Sequence, residues 1–77
     1  MTPYEDAIEK IQNSKKTNAT TLDVAWLGLT ELPKEIGQLT SLKRLYCYNN
    51  RITELPKEIG RLTSLQELYC YDNQITE

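Results

Sequence analysis

Three kinds of apolar spacing follow one another along this chain. Near the start, Tyr4, Ala7, Ile8 and Ile11 recur at intervals of three and four, which places them along one side of an α-helix. Thr2 and Glu5 stand three apart, the capping-box spacing, and Pro3 suits the first helical position. The pattern predicts an amphipathic helix over 3–13, followed by a polar connector, "NSKKTNAT", at 13–20. Further on, the spacing changes to two. Leu45 and Cys47 alternate with Arg44, Tyr46 and Tyr48, and Leu68 and Cys70 alternate with Glu67, Tyr69 and Tyr71. Each stretch predicts a short strand with one face buried. The third spacing belongs to return segments opened by Pro33 or Pro56, with Ile36 and Leu39, or Ile59 and Leu62, turned toward the strands. Proline fits the first position of a helical turn, because its missing N–H would be unpaired there anyway. Gly37 and Gly60 are expected where the short turn ends and the backbone needs a permissive residue.

These spacings repeat. "LTELPKEIGQLTSLKRLYCYNNR" at 29–51 aligns with "ITELPKEIGRLTSLQELYCYDNQ" at 52–74, a period of 23 with 17 identical positions. A more divergent copy, "ATTLDVAWLGL" at 19–29, keeps Leu22, Val24 and Leu29 where the others have Leu45, Cys47 and Ile52, then Leu68, Cys70 and Ile75. It has Ala19 in place of Leu42 and Leu65, and Leu27 in place of Asn50 and Asn73. A repeat of this length cannot cover its own apolar edge, so neighbouring copies must stack and shelter one another. Stacking in register makes parallel strands about 4.8 Å apart and places equivalent residues over one another. Asn50 and Asn73 are thus expected to form a structural ladder that satisfies buried loop backbone.

"LTSLKRLYCYNNRI" and "LTSLQELYCYDNQI" resemble the L-x-x-L-x-L-x-x-N-x-L core of leucine-rich repeats, with Cys in the third apolar slot. The joined "TELPKEIGRL" is similar to the L-P-x-x-I-G-x-L half found in intracellular repeats of the Ras-interacting type and in many bacterial repeat proteins. The resemblance spans about 19–77 and implies an α/β fold: a right-handed solenoid with short parallel strands on its concave face. The organisation expected is an N-terminal capping helix and connector over 1–18, then an array over 19–77. That array divides into a degenerate repeat at 19–41, a full repeat at 42–64 and a truncated one at 65–77. The stop after "ITE" suggests an N-terminal piece of a longer array, or a minimal engineered one. In related bacterial proteins such repeats often precede a signalling domain, for example a Roco-type GTPase.

Composition narrows the functional classes. A net charge of −2 argues against a general nucleic-acid binder, which needs a basic face for phosphates. No apolar run approaches the ~20 residues that span a bilayer, and Lys10, Lys15 and Lys16 are too few for strong attraction to a membrane surface. The opening residues lack the apolar core of a secretory signal, so a cytoplasmic location is expected. On that ground the sequon at 18–20 is treated as a chance match. There is no histidine, which removes the commonest general base and metal ligand, and two cysteines cannot supply a four-ligand zinc site. No enzyme activity, cofactor or metal is expected. Cys47 and Cys70 occupy equivalent inward slots; they read as small buried hydrophobes, with a disulfide or a reactive thiol as the alternatives.

The surface feature above background is aromatic. Tyr46 should stack with Tyr69, and Tyr48 with Tyr71, on the open face of the strands, with Trp26 beside the first-coil counterparts Asp23 and Ala25. Exposed Tyr and Trp with Arg are typical of binding hot spots. The expected function is non-catalytic binding of a protein or peptide through Trp26, Tyr46, Tyr48, Tyr69 and Tyr71, with Arg44 and Glu67 adding charge selectivity. A ladder that serves only the fold, or a small-molecule site, stays open. The alternative function is assembly: Leu65, Leu68, Cys70 and Ile75 belong to a last coil with nothing over it, and are expected to support a homodimer joined tail to tail. The return-leg charges Glu31, Lys34, Glu35, Glu54, Lys57 and Glu58 read as a solvated outer face.

Overall fold

The computed structural model describes residues 2–76; Met1, at the start of the expected capping segment, and Glu77, at the end of the truncated repeat, lie outside them. A helix, α1 (Pro3–Thr17), leads into three short strands, β1 (Thr21–Asp23), β2 (Arg44–Tyr46) and β3 (Glu67–Tyr69). A 3-10 turn at Lys34–Gln38 lies between β1 and β2, and a second at Lys57–Arg61 lies between β2 and β3. The strands form one parallel sheet in the order β1-β2-β3. Leu22, Leu45 and Leu68 sit opposite one another, as do Asp23, Tyr46 and Tyr69. The two 3-10 turns pack on each other, and α1 packs on β1 and the first turn. Among the described residues, no helix is long and apolar enough to cross a membrane.

The start of α1 follows the sequence signal. The Glu5 backbone N–H donates to Thr2 Oγ1 at 3.1 Å, and the Thr2 N–H donates to Glu5 Oε1 at 2.9 Å. Its end does not: the helix runs four residues beyond the predicted 3–13 and takes up most of the connector. Ser14 is buried and continues the stripe of Ala7 and Ile11. Lys15 and Lys16 lie in the last turn, where cations favour the helix dipole. Asn18 then closes the helix in the left-handed conformation, a role that asparagine tolerates well. Polar composition alone suggests a loop; the burial of Ser14 and the favourable terminal lysines outweigh it.

The core runs through the coils: Leu22, Val24, Leu29, Leu32, Ile36, Leu39, Leu42, Leu45, Cys47 and Ile52 are all buried, with Ala7 and Ile11 covering the β1 side. Leu45 is fully buried between two strands, whereas Leu68 on the outer strand is 36% exposed. The same side chain in the same slot differs only in whether a coil lies on both sides of it.

Two details of the return segments depart from expectation. Pro33 and Pro56 stand one residue before the 3-10 turns, with extended backbone (ψ 142° and 150°), and their carbonyls accept the first turn bonds from Ile36 and Ile59. Proline's absent N–H is no loss there either. Gly37 lies within its turn and is not left-handed; what it supplies is space. A Cβ there would meet Glu58 Cβ at 3.0 Å, Arg61 Cδ at 3.2 Å and the Glu58 carbonyl oxygen at 3.2 Å. A Cβ on Gly60 would meet nothing within 4 Å. Gly37→Ala is therefore expected to destabilise the chain by about 1–3 kcal/mol through overpacking. Gly60→Ala should be neutral or stabilising by up to about 1 kcal/mol. Urea unfolding of the two variants checks the contrast.

Candidate recognition face

The sheet's outward face is arranged in rows. Parallel pairing sets Thr21, Arg44 and Glu67 in one row and Asp23, Tyr46 and Tyr69 in the next. The ladder continues past the strands: Val24 and Trp26 N–H groups donate to the Tyr46 and Tyr48 carbonyls, and Cys47 and Asn49 N–H groups to those of Tyr69 and Tyr71. Ala25, Tyr48 and Tyr71 therefore form a third row. The Tyr46 and Tyr69 rings stack at 5.0 Å with 6° between planes, and Tyr48 and Tyr71 at 4.8 Å with 8°. Tyr46 meets Tyr48 edge to face at 6.3 Å. Tyr46 and Tyr48 are half-buried, while Tyr69 and Tyr71 are exposed.

Arg44 and Glu67 are engaged with each other: Arg44 Nε donates to Glu67 Oε2 at 3.0 Å, the one ion pair among the described residues. The Tyr69 hydroxyl donates to the other Glu67 oxygen, a contact the sequence reading did not anticipate. That hydrogen bond, followed by Arg44's, holds the Glu67 carboxyl below its usual range, and in return the bond to Glu67 raises the Tyr69 hydroxyl. Both groups are exposed, so the network orders the face more than it stabilises the fold.

The Trp26 side chain stands apart from the tyrosine stacks. It is 73% exposed, and its φ of 62° places it in the left-handed region. The equivalent residues are Asn49 and Asp72, with φ of 54° and 55°. Asparagine and aspartate adopt this conformation readily, whereas a bulky side chain does so at a cost of about 1 kcal/mol or more. Aligning Trp26 with Asn49 and Asp72 would have revealed this from sequence.

Beneath the face, Asn50 and Asn73 lie in the loops after β2 and β3. Asn50 Oδ1 accepts from the N–H groups of Leu27 and Leu29 at 3.1 and 3.0 Å, and its Nδ2 donates to the carbonyls of Val24, Cys47 and Tyr48 at 2.9–3.3 Å. Asn73 repeats the pattern on Ile52, Cys47, Cys70 and Tyr71. Leu65 and Cys70 are half-buried and Ile75 is 36% exposed; together with Leu68 they lie on the outer side of β3, the edge strand among the described residues. Both cysteines are free thiols. Burial first, and the neighbouring Cys70 second, push the Cys47 thiol up to about 12, the opposite of what activates a nucleophile. Among the described residues, no group of three His, Cys, Asp or Glu side chains could hold a metal ion. The outer face is only partly solvated: Glu35 and Glu58 are half-buried, and Glu35 Oε1 is buried without a partner among the described residues.

The family description "Leucine Rich repeats (2 copies)" matches residues 40–77, which hold β2, the second 3-10 turn and β3. The chain carries leucine-rich repeats. A leucine-rich repeat protein soc-2 homolog from Nematostella vectensis is 47% identical over 47 residues. That match covers 61% of this chain and 8% of the relative. Leucine-rich repeats generally mediate protein–protein interaction and are typically non-catalytic.

Proposed function

We propose that this leucine-rich-repeat chain is a non-catalytic module that holds a protein or peptide against its tyrosine-bearing strand face. The supporting observation is the pair of stacked tyrosine columns, with the Arg44–Glu67 pair at one end and Trp26 at the other. Rigid aromatic columns offer amphipathic contact area at small cost in conformational entropy, and Tyr, Trp and Arg are the residues enriched at binding hot spots. A large exposed Trp in a backbone position that suits Asn or Asp has no evident stabilising use. In this reading the coils form a right-handed solenoid with the tyrosines on its concave side, and α1 caps the first coil. The module works in the cytoplasm. Tyr46→Ala with Tyr69→Ala should abolish capture of the partner and leave the circular dichroism spectrum intact. Unchanged capture, or an unfolded chain, would defeat the assignment.

A second reading is favoured by the open edge of β3, where Leu68, Tyr69 and Ile75 are exposed and the strand's outer backbone groups can pair. The edge would take a second copy tail to tail, extending the sheet across two chains. Light scattering over a concentration series should then show dimers; a folded protein that is strictly monomeric at about 1 mM would count against it.

A further inference from the structure

The tyrosine columns are incomplete on the β1 side. Each has two rings, and the slots where a third would lie hold Asp23 and Ala25. Tyr69 and Tyr71 cover one face of Tyr46 and Tyr48; on the other side the neighbouring strand presents a carboxylate beside Tyr46 and a methyl group beside Tyr48. Ring centroids in the columns follow one another at 4.8–5.0 Å, so the place above Ala25 is the position of one further flat group. The charge on this face is also unequal. Arg44 is already paired with Glu67, whereas Asp23, which is exposed, has no ion pair among the described residues and there accepts only the Ala25 N–H, at 3.0 Å. Lys10 lines the hollow beside Asp23, also without an ion pair among the described residues.

We infer that this slot takes the guanidinium of an arginine from the bound protein or peptide. Arginine is the side chain whose geometry matches: it is planar, stacks on aromatic faces and carries paired donors for a carboxylate. The guanidinium lies over Tyr48 as the third layer of the column and donates to Asp23. A lysine ammonium supplies the charge but not the flat layer. A neutral apolar side chain fills the layer and leaves Asp23 unpaired. The partner segment is therefore basic, in keeping with the chain's net charge of −2.

This inference rests on the strand face being the binding surface, and the two can fail separately. The probe is the blocked pentapeptide acetyl-Gly-Gly-Arg-Gly-Gly-amide, titrated into the 77-residue chain and followed by NMR, with Lys, norleucine or Glu at the centre for comparison. The arginine peptide should give saturable shifts at the Ala25 amide and the Tyr46 and Tyr48 rings. It should bind about 3–10-fold more tightly than the lysine peptide, the scale of an exposed cation–π contact with a carboxylate partner. Norleucine and Glu peptides should not saturate. Asp23→Asn keeps the acceptor for Ala25 and should weaken arginine binding by about 2–5-fold. Ala25→Tyr fills the slot and should abolish binding, with the thermal midpoint kept or raised. Equal binding of the arginine peptide and either the lysine or the norleucine peptide would overturn the inference, as would wild-type affinity in Ala25→Tyr. If the Tyr46→Ala, Tyr69→Ala chain loses its partner while Ala25→Tyr retains it, the recognition face stands and the arginine slot falls.

Discussion

Asn50→Ala is expected to lower the unfolding free energy by about 3–5 kcal/mol, enough to unfold much of a domain this small. The side chain is 8% exposed and spans two coils. Removing it strands the N–H groups of Leu27 and Leu29 and the carbonyl of Val24 together, while the Cys47 carbonyl keeps its bond from Asn73. Each buried group left unpaired costs about 1–3 kcal/mol, reduced where water can enter. Asn73→Ala removes a similar set of bonds from a half-exposed site, where water can take the vacated places. Its loss should be only about 1–2 kcal/mol. Urea unfolding followed by circular dichroism measures both variants. Equal losses would mean that the ladder's contribution does not depend on a covering coil.

Leu45→Ala should cost about 3–5 kcal/mol, and Leu68→Ala about 1 kcal/mol. The residues pair directly across β2 and β3 and differ in exposure, 0% against 36%. Leu45 has Leu22 on one side and Leu68 on the other, and truncation leaves a cavity between coils that cannot close easily. Leu68 already meets solvent, so removing its methyl groups creates little void. The difference in urea midpoint reads directly how much shelter one coil gives another. A Leu68→Ala chain as damaged as Leu45→Ala would show that the last coil is not an open edge.

Much of the fold was legible because each repeat states the same physical problem. The alternation around Leu45 and Leu68 marks strands, and the period of 23 sets their register, so the stacking of Tyr46 on Tyr69 and Tyr48 on Tyr71 follows from sequence. What escaped detection was set by the neighbouring coil or by backbone angles, not by residue type. Gly37 reads as a flexible turn residue until the Glu58 backbone is seen against it. Ser14 reads as part of a loop until its place on the buried face of α1 is seen. Arg44 and Glu67 read as two selectivity charges for a partner, yet lie close enough to engage each other. The half-burial of Glu35 and Glu58 likewise depends on how closely the 3-10 turns approach.

Recognition through the strand face is tested most directly by the footprint of a bound partner in NMR spectra of the chain. Shifts and line broadening should concentrate on Trp26, Tyr46, Tyr48, Tyr69 and Tyr71 and leave Lys34, Glu54 and Lys57 unmoved. A footprint centred on the 3-10 turns, with the tyrosine rings unaffected, would contradict it.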